Sequence, residues 1–137
     1  ALCTQDGGIL LWRDAHLRVV RIVDDDHPGY CRVIWNTHVR EMTDLPASAR
    51  AHCMAVVFTV EEALRAVVQP EKINLAALGN QTPHLHWHII PRWSDDPQFP
   101  DPIWAKARRE DTPRRQIADL ALRQTLLESL AKLEFGG

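Results

Sequence analysis

Three short segments near the start of the chain have the residue pattern of β-strands. Ile9–Arg13 and Leu17–Val23 are rich in β-branched and apolar residues, and a short polar break separates them. After a loop that contains Pro28 and Gly29, Tyr30–Trp35 resumes the same pattern. Because short connections join antiparallel neighbours, the three segments predict an antiparallel meander.

The hydrophobic period changes in the next part of the chain. Ala47–Val68 contains no Gly or Pro. Its apolar residues recur at steps of three and four, which predicts an amphipathic helix. Asp44 is expected to cap this helix, with Pro46 near the first helical position, and Pro70 ends it.

Two further strands and a second helix complete the predicted order of elements. The strands are Lys72–Leu78 and His84–Trp93. Ser94–Asp111 contains several prolines and is predicted as an ordered surface excursion, anchored by Phe99, Ile103 and Trp104. The last helix is expected to open at Thr112-Pro113, with a buried stripe of Ile117, Leu120, Ala121, Leu127, Leu130 and Ala131. The order β-β-β-α-β-β-α predicts an α+β fold, in which one long helix and a C-terminal helix pack on a five-stranded antiparallel sheet.

Length and composition favour one globular domain. The 137 residues are 45% apolar and 25% charged, which is typical of a folded soluble chain. We expect a single domain over residues 1–137, with its core at about residues 9–93 and a C-terminal loop and helix at 94–137.

Charge and cysteine usage narrow the expected partners and compartment. The formal net charge is −2, with acids and bases interleaved, so neither a nucleic-acid nor a membrane partner is expected. No apolar run approaches the ~20 residues that span a bilayer. The three cysteines are scattered and form no CxxC motif, which argues against a disulfide framework and favours a reducing cytoplasm.

Three histidines alternate with apolar residues in His84-Leu85-His86-Trp87-His88-Ile89-Ile90. Alternate side chains of a strand share a face, so the sequence predicts three imidazoles on one face and apolar side chains on the other. Imidazoles are costly to bury unless their ring nitrogens have partners. The pattern therefore favours a functional role for this face, and we expect the strand that carries it to be an end strand of the sheet.

Two chemistries suit such a face. Imidazole binds zinc and copper, but the outer Cα atoms would lie about 13 Å apart at ~3.3 Å per residue. A metal site would therefore need further ligands, such as Cys3 or His38. A neutral imidazole is also a nucleophile near pH 7 and can carry a phosphoryl or nucleotidyl group. In that hypothesis the central His86 attacks, between the donors His84 and His88.

Residues 84–90 resemble the His-φ-His-φ-His-φ-φ signature of the histidine triad (HIT) family, in which φ is apolar. The resemblance extends through Val33–Val39 and Asn74–Asn80, and so over roughly residues 9–93. It implies a nucleotide hydrolase or transferase that acts at the α-phosphate of a nucleoside phosphoramidate or dinucleoside polyphosphate. The reaction would proceed through a covalent nucleotidyl-histidine, with no cofactor and no metal.

The resemblance also implies roles for individual residues. His86 falls on the nucleophile, His88 on the residue that contacts the phosphate and assists the leaving group, and His84 on a positioning residue. The implied nucleotide-binding residues are Asp24 (with Asp25 and Asp26 as alternatives), Asn74, Asn80, Gln81 and His38. Family members usually dimerise through a strand and the long helix, so a homodimer is expected.

Two other functions remain open from the sequence. The histidine face could serve a metal-binding module, or the chain could be a non-catalytic dimeric adaptor. Some bacterial relatives hold zinc with a cysteine pair near the N-terminus, where this chain has Cys3 alone. The remaining histidines, His16, His27 and His52, are expected at the surface.

Overall fold

The computed structural model describes residues 7–110 and 112–133 and contains a five-stranded antiparallel sheet. Its strands are β1 (Ile9–Arg13), β2 (Leu17–Arg21), β3 (Cys31–Trp35), β4 (Lys72–Ala76) and β5 (His86–Arg92). The helices are a short 3-10 turn (Met42–Asp44), α1 (Ala47–Val67) and α2 (Asp119–Leu130). The predicted α+β fold is confirmed. Most strands end one or two residues inside their predicted bounds, which leaves His84 outside β5.

The strand order is β1-β2-β3-β5-β4, so β5 lies inside the sheet. The prediction that the histidines lie on the end strand is therefore wrong, because β4 occupies that edge. After β3 the chain passes through α1 and returns as β4, two positions away from β3 in the sheet. β5 then lies between β3 and β4. This placement suits β5, whose Ile89 and Ile90 are almost fully buried.

One face of the sheet packs against α1. Val33, Trp87 and Ile89 contact the core on this face, together with the buried side of the helix. The helix contributes Ala49, Cys53, Val56, Val57, Val60, Ala63 and Leu64 to that core. The opposite face carries the side chains that alternate with them on β3 and β5, and these include His86 and His88.

The C-terminal helix begins later than predicted and buries a different stripe. Residues 112–118 are not helical, and Asp119 in the first turn pairs with Arg21 of β2 at 2.9 Å. The residues buried against α1 are Leu122, Leu126 and Leu130, whereas Leu120 is 86% exposed. The leucines offer two overlapping stripes, and packing against α1 selects the one with four-residue spacing.

One local prediction near α1 is also wrong. Pro46, not Asp44, is the N-cap residue of α1. Asp44 instead ends the 3-10 turn, and its carboxylate accepts a hydrogen bond from the Glu41 N–H at 3.0 Å.

None of the helices in the described residues combines the length and apolarity needed to span a membrane.

His27 and His52 are buried rather than at the surface. The Nε2 atom of His52 lies 2.6 Å from the Asp14 carboxylate, which also accepts two backbone N–H groups in the β1–β2 turn. His27 lies between Asp24 and Gln98, at 3.0 and 2.8 Å. Each buried ring thus has an acceptor, which removes most of the cost of burying it. His16 is half-buried and stacks on the Trp35 ring.

Candidate active site

Neighbouring strands place polar side chains around the histidines of β5. Arg32 of β3 is the Cα partner of His88, and Ile34 is the partner of His86. Directly opposed residues of antiparallel strands share a face, so the Arg32 side chain lies on the same face as both imidazoles. The rings of His86 and His88 meet edge to face, with their centroids 4.8 Å apart.

His84 lies in a bend just before β5 and is held by two partners. Its Nε2 lies 2.5 Å from the Trp35 carbonyl oxygen, and its Nδ1 lies 3.1 Å from Nδ1 of His38. A carbonyl oxygen can only accept, so Nε2 of His84 carries the proton and Nδ1 accepts from His38. The pair fixes the backbone that leads into the strand.

His86 has one ring nitrogen fixed by the main chain. Its Nδ1 lies 2.6 Å from the carbonyl oxygen of His84, which can only accept. The ring proton is therefore on Nδ1, and Nε2 keeps its lone pair. Nε2 has no hydrogen-bond partner among residues 7–110 and 112–133. This tautomer is the one that a nucleophilic Nε2 requires.

Burial keeps both imidazoles neutral. Desolvation lowers the pKa of His86. The hydrogen bond to the His84 carbonyl opposes this shift, but the charge of Arg32 and the neighbouring His84 ring lower the pKa further, and the net shift is downward. Desolvation also lowers the pKa of His88, to about 3, with the neighbouring His86 and Arg32 acting in the same direction. At neutral pH the site thus holds two uncharged rings beside one guanidinium.

If His86 is the nucleophile that the sequence predicts, these shifts also predict how the rate depends on pH. A nucleophile whose pKa lies below 6.5 is more than half unprotonated at pH 6.5, so we expect kcat/KM for adenosine phosphoramidate at pH 6.5 to stay above half of its value at pH 8. The midpoint of the acid limb should lie below pH 6.5, in a rate profile corrected for uncatalysed hydrolysis. An acid limb with its midpoint at or above 6.5 would contradict the neutral, desolvated site.

The two rings open into a cavity of about 340 Å³. The turn before β5 forms one wall, and Gly79 adopts a φ of +68° there, which favours glycine. Asn80 and Gln81 line this cavity, and their role beside a phosphate remains a prediction. The full lining is Arg32, Leu78, Gly79, Asn80, Gln81, Thr82, His86, His88 and Trp104.

Two predicted binding residues have other partners and do not line this cavity. The Asp24 carboxylate bonds to His27 and to backbone N–H groups of its own loop. Asn74 accepts a hydrogen bond from Arg92 at 2.8 Å and lines a second cavity of about 760 Å³ on the β4 side. Asp25 pairs with Arg114 at 3.1 Å. The nucleoside-binding roles of these residues remain predictions.

A profile of the HIT domain matches residues 6–95, about two thirds of the chain. The chain belongs to the HIT family. A histidine triad protein from Bradyrhizobium japonicum superposes with a TM-score of 0.73 at 25% identity, covering 90% of this chain and 91% of that one. Another from Marinobacter aquaeolei VT8 gives 0.72 at 24% identity, covering 94% and 93%.

A curated relative of this HIT chain is named AP-4-A phosphorylase, from Mycobacterium tuberculosis. It is 30% identical over 79 residues, which is 53% of this chain and 40% of the relative. The HIT chain thus spans less than half the length of that protein.

Sequence reasoning missed three residues of the HIT site. Arg32 lies on β3, where it is a polar residue among apolar ones, and Tyr30 directly precedes that strand. The polar residue within an apolar strand was the available signal. The indole of Trp104 meets the His88 ring edge to face, with a centroid distance of 5.0 Å. Trp104 is 51% exposed, so it borders the cavity and does not anchor the loop in the core as predicted.

Within the part of the chain that the structure describes, no group of three or more His, Cys, Asp or Glu side chains is placed to hold an ion. Cys3, the candidate extra ligand, lies outside the described residues. His38, the other candidate, bonds to the ring of His84.

Proposed function

We propose that this HIT chain is a nucleotide hydrolase or transferase that acts at the α-phosphate through a covalent nucleotidyl-His86. Its substrates would be nucleoside phosphoramidates or dinucleoside polyphosphates. One observation carries the proposal: the Nδ1–H of His86 is bound to the His84 carbonyl, so its Nε2 lone pair is available beside the Arg32 guanidinium. A neutral nucleophile next to a fixed cation suits attack on an anionic phosphorus centre.

In the first step, Nε2 of His86 forms a bond to the α-phosphorus while the bond from phosphorus to the leaving group breaks. The leaving group departs with the electron pair of that bond and takes up a proton at the His88 side of the cavity, which is open to water. His86 is then a cationic nucleotidyl-imidazole, and its Nδ1–H remains on the His84 carbonyl oxygen.

In the second step, a water oxygen bonds to the α-phosphorus and the bond from phosphorus to Nε2 breaks. The electron pair returns to Nε2, the water proton is released to solvent, and a nucleoside monophosphate leaves. Charge that develops on the phosphate oxygens faces Arg32, together with the amides of Asn80 and Gln81. Arg32 is held by its hydrogen bonds to the Tyr30 hydroxyl, and a fixed donor of this kind stabilises the transition state without reorganising.

Two observations bear on the choice between the two substrate classes. The name of the Mycobacterium tuberculosis relative, AP-4-A phosphorylase, supports a dinucleoside polyphosphate. The open mouth of the cavity beside Trp104 admits either leaving group. Turnover of both compounds under matched conditions would rank them.

We also propose that the chain works in the cytoplasm as a homodimer. Phe58 of α1 is 50% exposed, and β4 offers an edge for pairing, which supports association through the helix and a strand. Cys31 and Cys53 are free and buried, and burial raises the pKa of both thiols, so they are inert structural residues. Free thiols support a reducing compartment.

A rapid-quench experiment tests the covalent intermediate. The protein is mixed with adenosine phosphoramidate, quenched at short times and analysed by peptide mass spectrometry. We expect an adenylyl group on the peptide that contains residues 84–90, located on His86. If the compound is turned over but quenched samples never carry that adduct, the mechanism is wrong.

The competing functions predict different measurements. A metal-binding module would show a stoichiometric transition metal by elemental analysis, lost in His86→Ala. An adaptor would turn over neither substrate class with the native chain, although it would remain folded. The placement of His86, with one nitrogen bound and the other facing a cavity, favours the enzyme over both.

A further inference from the structure

A buried hydroxyl contacts the second imidazole of the site. Tyr30 is 3% exposed, and its hydroxyl oxygen lies 2.5 Å from Nδ1 of His88. On the other side of that oxygen, the Arg32 guanidinium donates from Nε and Nη2, at 3.4 and 3.3 Å. Arg32 also lies near the Tyr30 ring, with 5.5 Å between its Cζ and the ring centroid. The three side chains form a short chain of contacts behind the cavity.

The direction of these hydrogen bonds follows from what each group can do. A guanidinium only donates, so Arg32 occupies the acceptor positions of the Tyr30 oxygen. The Tyr30 hydroxyl can then bond to His88 only by donating its proton, so that proton points at Nδ1 of His88. A ring nitrogen that accepts a hydrogen bond carries no proton, so the proton of neutral His88 is on Nε2.

We propose that Tyr30, held by Arg32, is a positioning residue that fixes His88 in the tautomer with its proton on Nε2. His88 then presents a hydrogen-bond donor to the leaving atom. The inference rests on the proposed function, since it assigns the device that prepares His88 for that reaction. Tyr30 acts only through His88 and does not touch the substrate.

The same strand thus holds two imidazoles in opposite tautomers. The carbonyl of His84 places the proton of His86 on Nδ1, which frees Nε2 as the nucleophile. The hydroxyl of Tyr30 places the proton of His88 on Nε2, which makes it a donor. Burial raises the pKa of Tyr30, so its hydroxyl keeps the proton that this arrangement needs. In this arrangement His86 attacks while His88 supports departure of the leaving group.

The first test measures the tautomer itself. Nitrogen-15 NMR of the His88 ring in the full chain distinguishes a protonated from an unprotonated ring nitrogen. We expect a protonated Nε2 and an unprotonated Nδ1 in the native protein, and a mixture of tautomers in Tyr30→Phe. A native His88 with its proton on Nδ1 would overturn the inference, whether or not the variant folds.

The second test measures the consequence for departure of the leaving group. Tyr30→Phe should slow kcat for adenosine phosphoramidate about tenfold, with little change in KM, because an amine needs a donor to leave. For the p-nitrophenyl ester of adenosine monophosphate, whose leaving group departs without a proton, we expect less than about a twofold change.

Thr59→Val is the matched control, because it also removes one buried hydroxyl. Thr59 lies on α1 and bonds to the Ala55 carbonyl, far from the histidine face. This control should keep native rates and the native His88 tautomer. Equal slowing of both substrates by Tyr30→Phe, with the tautomer unchanged, would show a merely structural role and overturn the inference. A native chain that turns over neither compound would refute the proposed function, while the NMR result would still decide the role of Tyr30.

Discussion

Replacing His86 by alanine is expected to lower kcat/KM for adenosine phosphoramidate by at least about 10³-fold, which corresponds to about 4 kcal/mol of transition-state stabilisation. The reason is that the variant lacks the nitrogen that would form the covalent bond. Some residual rate should persist, because Arg32 and the turn at residues 79–82 would still bind the phosphate. Steady-state rates on the purified variant measure the loss.

His16→Ala provides the matched control for this substitution. His16 is a half-buried histidine in the β1–β2 region that stacks on Trp35 and does not line the cavity. Its replacement should change kcat/KM by less than about threefold. Equal rates for the native chain and His86→Ala would remove the enzymatic hypothesis. A similar loss in both variants would show that the effect of His86→Ala is not specific to the nucleophile.

The largest expected effect on stability comes from Asp96→Ala. Arg92 and Asp96 form an ion pair at 2.6 Å in which both side chains are 2% exposed. Arg92 also donates to Asn74 and to the Asp101 carbonyl. Removing the carboxylate leaves a buried guanidinium without its counterion, so we expect a loss of about 3–5 kcal/mol in the free energy of unfolding, measured by urea denaturation.

The carboxylate of Asp96 also organises the loop that follows β5. It accepts backbone N–H groups of Gln98 and Phe99, at 3.1 and 2.8 Å. This loop leads to Trp104, which borders the cavity. Asp96→Ala should therefore also loosen one wall of the site, and substrate KM should rise in the fraction that remains folded.

The exposed ion pair in the same region is the control. Asp101 pairs with Arg108 at 2.8 Å, and these side chains are 36% and 54% exposed. Asp101→Ala removes an equivalent carboxylate from an equivalent guanidinium, but water solvates both groups, so no measurable change in stability is expected. If Asp101→Ala and Asp96→Ala lower the free energy of unfolding equally, burial is not the reason that the Arg92–Asp96 pair stabilises the fold.

Lowering the pH should reveal the contribution of the Arg92–Asp96 pair to stability in the native chain, without a substitution. Burial by itself would raise the pKa of Asp96, but Arg92 and the loop N–H groups outweigh it and lower the pKa from 3.8. A lowered carboxyl pKa stabilises the fold above the unfolded value, and this stabilisation is lost as the pH falls through the folded value. The native chain should therefore lose more stability than Asp96→Ala below pH 4.

The prediction of strands and of α1 succeeded where the chain repeats a simple pattern. Ala47–Val67 presents apolar residues to a single neighbour, the sheet, so its period alone defines the helix. The predicted buried stripe of the C-terminal helix was wrong, because its leucines form two overlapping stripes. Packing against α1 decides which of the two is buried. Leu120 and Leu122 are equally apolar, yet one is 86% exposed and the other fully buried.

The sequence by itself determined the histidine alternation, the α+β fold and the placement of Asn80 and Gln81 just ahead of the histidines. Only the tertiary structure decided that β5 lies between β3 and β4, and thus that Arg32 of β3 and Tyr30, which directly precedes β3, lie beside His88. His88 and Tyr30 are 58 residues apart in the chain. Local patterns record which face a side chain takes on its own strand, whereas the choice of neighbouring strand depends on how the whole sheet buries its apolar surface.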